Sequence, residues 1–583
     1  MILFTMNLLS QLCLGVLLSA LSANACTNYL VTPGASADGS AMISYAADSG
    51  SLYGTLGFYP AANHTPGSTR TCYDWDSGKY LGEIPEVAST YNVVGNTNEF
   101  QLTIAETTFG GLGSLSSQSG AIIDYGSLIW ITLQRAKNVQ EAITVMDDLM
   151  QKYGYASDGE SFSLADPKEV WLMEVMSKGE GELGSVWVAQ KIPDGYVSGH
   201  ANQARIRTFN HNDPSTSRFA HDVVDFARKK GLYPSDKADS EFSFSDTFDP
   251  VSFTGARLCE CRVWNMFRQV AAEDNFGDRY LDYVKGENLT HRMPLFIKPR
   301  DKISLNDTFW FMRSHYEGTY FDMTVDVGAG QYASAYRARP LFWETSDKVT
   351  YHNERPIGVQ QTAWHFTAQM RSFLPDIIGA VVWFAVDDTA HSVHVPFYPS
   401  VTKISEKWAD KGIQHVDDEK ASLKVSFDSA WWLFNMVANL CYNRYDAMNP
   451  VVQAKIVEVE SGYFKDTQAI EEKAKGMIQD GKTAEVREML TQFSMERADN
   501  IVVEWLEFWK ELFFKFRDYF VVSPPAAPAH PKDHPWPSVV QGGYPTKWND
   551  VVAKETGDHY LVPKNLDMAL ENRKLKAIRK GSK

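Results

Sequence analysis

Charge is missing where the chain begins: residues 1 to 25 contain no Asp, Glu, Lys or Arg. Leu8 to Leu21 is mostly apolar and gives way to the small residues of "SANA", the pattern of a secretory leader with its cleavage site. No later stretch approaches 18 uninterrupted apolar residues, so a chain without its leader is expected to have no stable membrane insertion. Basic residues are in the minority, 56 against 72 acidic, for a formal charge of −16. Binding to nucleic acid or anionic lipid would then need a local basic patch, and none is evident. The Lys/Arg-rich end "ENRKLKAIRKGSK" is short and reads as a solvated helix or frayed tail. There is no G-x-S-x-G elbow, no H-E-x-x-H and no paired C-x-x-C, which disfavours elbow-type serine hydrolases, zincins and zinc ribbons.

Cysteine is also scarce. Cys13 falls in the leader, leaving Cys26, Cys72, Cys259, Cys261 and Cys441. Five is an odd number, so at least one thiol stays free or pairs between molecules, and Cys26 is the obvious candidate. Oxidising export permits disulfides among the other four, with the pairing left open. Sequons at Asn63, Asn288 and Asn306 are glycosylation candidates in a eukaryotic secretory pathway. The compartment itself, secreted, lysosomal or vacuolar, or periplasmic, depends on the source.

What is present is the composition of a folded protein: 44% hydrophobic residues with 16 Trp and 26 Tyr, too rich in large apolar side chains for disorder. From Cys26 to about residue 125, "CTNYLVT", "AMISYA", "YNVVGN" and "FQLTIAETT" read as short strands between turns. Residues 126 to 154 carry apolar residues at helical spacing and stop at glycine. Strands return at "SFSLADPKEVWLMEV" and "GSVWVAQKIP", helices follow near 215–231 and 257–285, and strand-like runs resume after 310 in "YFDMTVDVG", "PIGVQQTAWHFTAQ" and "IIGAVVWFAVDD". From Ser429 to Phe520 long amphipathic helices are expected, and "SPPAAPAHPKDHPWP" cannot be regular helix. Alternating sheet and helix blocks of this kind suit two sheets with helical layers outside them. The expected division is a leader over 1–25, a main domain over 26–428, a helical extension over 429–522 packed on it, and a Pro-rich linker and tail over 523–583.

Two constellations carry possible chemistry. "DDTAHSVH", Asp387 to His394, clusters carboxylates and histidines, but its setting reads as a surface hairpin with hydrogen-bonded polar ends and no metal is expected there. Cys26 is the other. A free thiol titrates near 8.5 and a free α-amine near 7.7–8.0, so roughly 10% of such an amine is already a neutral base at pH 7. Removal of residues 1 to 25 would give Cys26 both nucleophile and base in one residue.

"ACTNYLVTPGASADGSAMISYAADSG" resembles the start of the dipeptidase A family of cysteine N-terminal nucleophile hydrolases, with its cysteine, threonine, short strand, D-G-S, second strand and Asp-Ser. The resemblance continues in order through "NTNEFQLTIAETT", "SVWVAQKIPDGYVSGHANQARI", "HYEGTYFDMT" and "RPIGVQQTAWHFTAQMRSFLPDIIGAVVWFAVDD", covering roughly residues 26 to 450. It implies an α+β fold, a four-layer αββα sandwich, and hydrolysis of short peptides, most of all dipeptides, through a thioester on Cys26 and without cofactor. It implies short peptides as partners and leaves self-association open. By position, Asp48 matches an acid beside the nucleophile, Asn202 an oxyanion donor, and Arg262 a cation favouring thiolate. "HYEGTYFDMT" would either bring Glu317 and Asp322 near the substrate's free amine or form a structural hairpin, and Thr108 is a further substrate-binding candidate. One departure stands out: Tyr45-Ala46-Ala47-Asp48 replaces the family's Arg-Asn-Glu-Asp, so the arginine's role is lost or has passed to Arg262 or Arg205. Two alternatives follow, an amidase of the same mechanism acting on non-peptide amides such as acylated amino acids, bile salts or penicillins, and a secreted or lipid-anchored binding protein that keeps the fold without catalysis.

Overall fold

The computed structural model describes residues 24–116, 118–409, 424–528, 530–567, 570 and 573. Nearly all of the expected leader, residues 1–23, therefore lies outside the described residues, as does most of the basic tail.

Nine strands carry the architecture: β1 (Asn24–Val31), β2 (Ala41–Ser49), β3 (Thr103–Gly110), β4 (Gly159–Ala165), β5 (Val170–Ser177), β6 (Ser185–Lys191), β7 (Val197–His200), β8 (Thr362–Met370) and β9 (Ala380–Val386). One sheet runs Phe296–Ile297, β7, β1, β2, β8, β9, Val395–Phe397. The other runs Ser217–Phe219, β6, β5, β4, β3 and then three two-residue strands. All pairings within both sheets are antiparallel. The chain is thus α+β, with mixed helices and antiparallel sheets.

Period-two alternation decides which face each side chain meets. On β2, Ala41, Ile43, Tyr45 and Ala47 join the large core between the sheets, whereas Met42 and Ala46 join a second core on the opposite face. On β1, Cys26 and Leu30 face the large core, and Tyr29 and Val31 the second. β1 and β2 pack across the large core against β3 and β4. Helices α1 (Tyr125–Leu133) and α2 (Val139–Tyr153) cover the sheet of β3 to β6, and α3 (Cys261–Val270) and α4 (Leu305–Met312) pack in the second core or on β2 and β8. Asp124 and Asn138 cap α1 and α2 by accepting from Ser127 N and Glu141 N, and Gly154 ends α2 at φ +75°.

Helices α5 (Ala430–Asn443), α6 (Tyr445–Gln479) and α7 (Thr483–Phe516) lie over β9 and Val395–Phe397. Two buried ion pairs fix α6 in place: Arg313, at the end of α4, with Glu460, and Arg371, just after β8, with Glu471, the latter joined by Tyr398 Oη. No described helix is long and apolar enough to cross a membrane.

Two local expectations are corrected, and one short motif finds its place. "YFDMTVDVG" is a series of turns rather than a strand, because Asp322 Oδ1 accepts from Thr324 N and Asp326 Oδ1 from Gly328 N, and these bonds replace ladder bonds. The segment 387–394 is buried, not a surface hairpin, because the helices after residue 429 lie over it: Asn435 and Tyr442 of α5 bond Asp387 and Asp388, and Glu460 of α6 bonds His394. "GMIQDGKT", 476–483, spells a P-loop pattern, but it forms the turn between α6 and α7 with no strand before it, so it makes no phosphate cradle.

Candidate active site

β1 ends in the interior, and its pairing with β2 sets Cys26 opposite Ala47 and Ala25 opposite Asp48. The Cys26 thiol lies 3.5 Å from Glu106 Oε1 on β3 and 3.8 Å from Tyr45 Oη on β2. Tyr45 in turn donates to the same Glu106 oxygen at 2.5 Å. Sγ faces a chamber of about 30 Å³ walled by Trp75, Tyr125, Trp130 and Trp364, with room for about two waters. A larger cleft of about 590 Å³ shares Asp76, Thr108 and Tyr125 with that chamber and is lined also by Ala25, Asn202, Glu160 and Arg262. That volume suits a small ligand rather than a polymer.

The backbone N–H of Cys26 points the other way and donates to Asn202 Oδ1 at 2.9 Å. Asn202 follows β7 with φ +62°, a left-handed conformation that asparagine tolerates better than most residues. Arg262 Nη2 also donates to Asn202 Oδ1, so two donors fix the amide orientation and turn Nδ2 to the Thr108 carbonyl at 2.6 Å. One Nδ2 hydrogen is thereby used, and the second is left for another acceptor. Thr108 sits at a bulge between β3 and β4, where the register shifts before Gly110, and its hydroxyl donates to Glu160 Oε1 at 2.9 Å.

Arg262, on α3, is buried and spends its guanidinium on Cys26 O, Thr27 Oγ1, Ala201 O, Asn202 Oδ1 and Leu258 O. It thereby clamps the backbone and amide around Cys26, with no hydrogen bond to the sulfur. Burial, then Glu106 and Asp48, push the Cys26 thiol well above its usual range. With Ala25 still attached, Cys26 is a neutral thiol without a free amine.

Asp48 is fully buried and accepts from Arg355 Nη2 at 2.6 Å and from Thr362 Oγ1 at 2.6 Å. Arg355 Nη2 also reaches the Ala25 carbonyl at 3.1 Å. The cation beside Asp48 is therefore Arg355, neither Arg262 nor Arg205. Arg205 pairs with Glu260 and bonds the carbonyls of Gly199, Pro294 and Leu295. Tyr45, where the arginine was expected, faces Glu106.

Cys26, Asp48, Asn202, Arg262 and Thr108 thus converge, and Glu317 and Asp322 do not. Glu317 bonds Ser314 and His315, Asp322 stabilises the turn over Gly318 to Thr324, and neither lines either cavity. Sequence reasoning missed Arg355, Glu106 and Glu160. Arg355 was reachable only through strand register, since β8 sets Thr362 opposite Asp48. No histidine lines the chamber or the cleft. His200, next along the sheet, is held between Thr107 and Ser163, and burial keeps its pKa down at about 3. Among the described residues no group of three or more His, Cys, Asp or Glu is arranged to hold a metal, and Cys26, Cys72, Cys259, Cys261 and Cys441 form no disulfide.

Comparison with known proteins gives one consistent result. The profile of Peptidase family C69 matches residues 58–458, more than half of the chain. A probable dipeptidase of Latilactobacillus sakei is 25% identical over 444 residues, 73% of this chain and 82% of that protein. A probable dipeptidase of Salmonella dublin is 28% identical over 393 residues, 64% of this chain and 81% of that one. Dipeptidase A of Lactobacillus helveticus is 23% identical over 440 residues, 72% and 82%. Cys26 and Asp48 precede the segment that the family profile matches.

Proposed function

This chain belongs to peptidase family C69, and from that premise we propose that it is a cysteine-type dipeptidase whose nucleophile is Cys26, freed by removal of the leader. The observation that carries the reading is the placement of one residue's two reactive atoms: Cys26 N rests on Asn202 while Cys26 Sγ opens on the chamber beside Glu106. With no histidine lining the site, the base that fits is the α-amine that cleavage after Ala25 creates. The αββα arrangement of an N-terminal nucleophile hydrolase is the fold that goes with this mechanism.

In the mature enzyme the α-amine takes the thiol proton, and the thiolate attacks the carbonyl carbon of the substrate's first residue. The oxyanion takes the free N–H of Asn202 Nδ2, a contact worth a few kcal/mol in such sites. Collapse of the tetrahedral intermediate breaks the C–N bond, passes the proton to the leaving amine and leaves a thioester on Sγ. Water, deprotonated by the same amine, then adds to the thioester; the acid departs and the thiol is restored. Asp48, paired to Arg355, holds the strand end at which the new terminus forms. The leader directs the protein into a secretory route before this step.

N-terminal sequencing of mature protein, paired with hydrolysis of L-alanyl-L-alanine before and after iodoacetamide, tests the reading. The expected result is a terminus at Cys26 and activity abolished by alkylation. A mature protein that starts elsewhere, or activity indifferent to alkylation, contradicts it.

A further inference from the structure

The acidic side of the cleft has no counterpart. Glu106 and Glu160 are 3% and 0% exposed, and each keeps one carboxylate oxygen, Oε2, without a hydrogen-bond partner. Among the described residues no Lys, Arg or His pairs with either of them or with Asp76, which accepts from Tyr125 Oη at 3.0 Å. The two arginines that border the cleft, Arg262 and Arg355, direct their terminal nitrogens to backbone carbonyls, Thr27, Asn202 and Asp48. Glu106 lines the chamber and Glu160 the cleft, and buried carboxylates normally have a cation or several donors, so this acidic wall marks a place for a cation brought by the ligand.

Geometry identifies that cation. A thiolate attacks from about 3–3.5 Å, and the α-nitrogen of the attacked residue lies two bonds from its carbonyl carbon, roughly 2.5 Å away. The α-nitrogen must then lie within a few ångströms of Sγ, and Glu106 Oε1 is 3.5 Å from Sγ. Glu160 is tied to the adjacent Thr108 hydroxyl. We propose that Glu106 and Glu160, with Asp76 beside them, form the subsite for the protonated α-amine of the substrate, which makes them specificity-determining for peptides with a free N-terminus. This deepens the dipeptidase reading and rests on it for the position of the attacked carbonyl. Burial, then the charge of Glu106 and the contact between the two carboxyl groups, push the Glu160 pKa well above its usual range.

The test uses mature protein with two probes, L-alanyl-L-alanine and its N-acetyl derivative. Turnover is measured with wild type, and binding by calorimetry with the mature Cys26→Ala variant. Acetylation is expected to lower kcat/KM by at least 30-fold and to weaken binding comparably. Glu160→Gln should raise KM for the free dipeptide about tenfold with kcat within threefold, and shrink the discrimination against the acetylated probe. Equal turnover of both probes overturns the subsite while leaving peptide hydrolysis intact. Selective binding of the free dipeptide with no cleavage of either probe upholds the subsite and removes the peptidase reading. Strong discrimination unchanged in a folded Glu160→Gln variant overturns the assignment to Glu160.

Discussion

Two buried polar clusters use the same residue types to opposite ends. Around residues 387–394, Asp388 meets His391 at 2.8 Å and Tyr442 Oη at 2.7 Å, while Glu460 takes Arg313 and His394 together. Asp388 and Glu460 each have a cationic partner, Asp387 has only the Asn435 amide, helices cover the cluster, and none of its residues lines the site cavities. Around Cys26, Asp48 is matched by Arg355, but Glu106 at the chamber and Glu160 at the cleft have no cationic partner among the described residues. Matched charge in a closed interior joins the elements that supply it. Unmatched charge beside a reactive sulfur leaves the protein with something to bind.

The sharpest way to break this comparison is to remove the sulfur. Cys26→Ala should lower kcat for dipeptide hydrolysis at least about 10³-fold and leave the thermal midpoint nearly unchanged; a comparable fall in midpoint contradicts a purely chemical role. In the closed cluster the effect reverses. Glu460→Gln strands buried Arg313, and the expected cost is about 3–5 kcal/mol of stability, read by denaturant titration, with kcat per folded molecule unchanged. Asn202→Gly comes next: glycine accepts the +62° φ, so the loss of about 10²–10³ in kcat reports the side chain alone.

The smallest effect is a pH dependence. Burial disfavours the His391 imidazolium, but the Cys441 sulfur and the Asp388 carboxylate outweigh it and raise the pKa to about 10. The unfolded value is about 6.5, so the folded state binds the proton more tightly. The stabilisation is complete below about pH 6.5 and is lost as pH rises toward 10. The difference in thermal midpoint between wild type and Asp388→Asn should shrink across that range. A constant difference means that the pair is not charged.

Much of this architecture was legible in the sequence, because short apolar runs between turn residues in β2, β3, β8 and β9 and 3.6-residue periodicity in α2 and the three long helices are local signals. The resemblance singled out Cys26, Asp48, Asn202 and Arg262, and the fold brings these four together with Thr108. What escaped was pairing across the chain. Arg355 reaches Asp48 over 307 positions and Glu106 reaches Cys26 over 80, so neither leaves a local spacing to read. The same limit explains the misreading of 387–394: its polar letters look solvated until helices beginning some 40 residues later cover them. Glu317 and Asp322 failed for the opposite reason, since local turn bonds use carboxylates that looked available for substrate.

In the reading proposed above, one cleavage turns Cys26 from a shielded thiol into a nucleophile with its own base. The most direct measurement compares dipeptide hydrolysis by protein beginning at Cys26 with that by protein retaining Asn24-Ala25 ahead of it, intact mass confirming both termini after the assay. Activity is expected in the first and at least about 10³-fold less in the second. Equal turnover by protein whose mass still includes Asn24-Ala25 would contradict it.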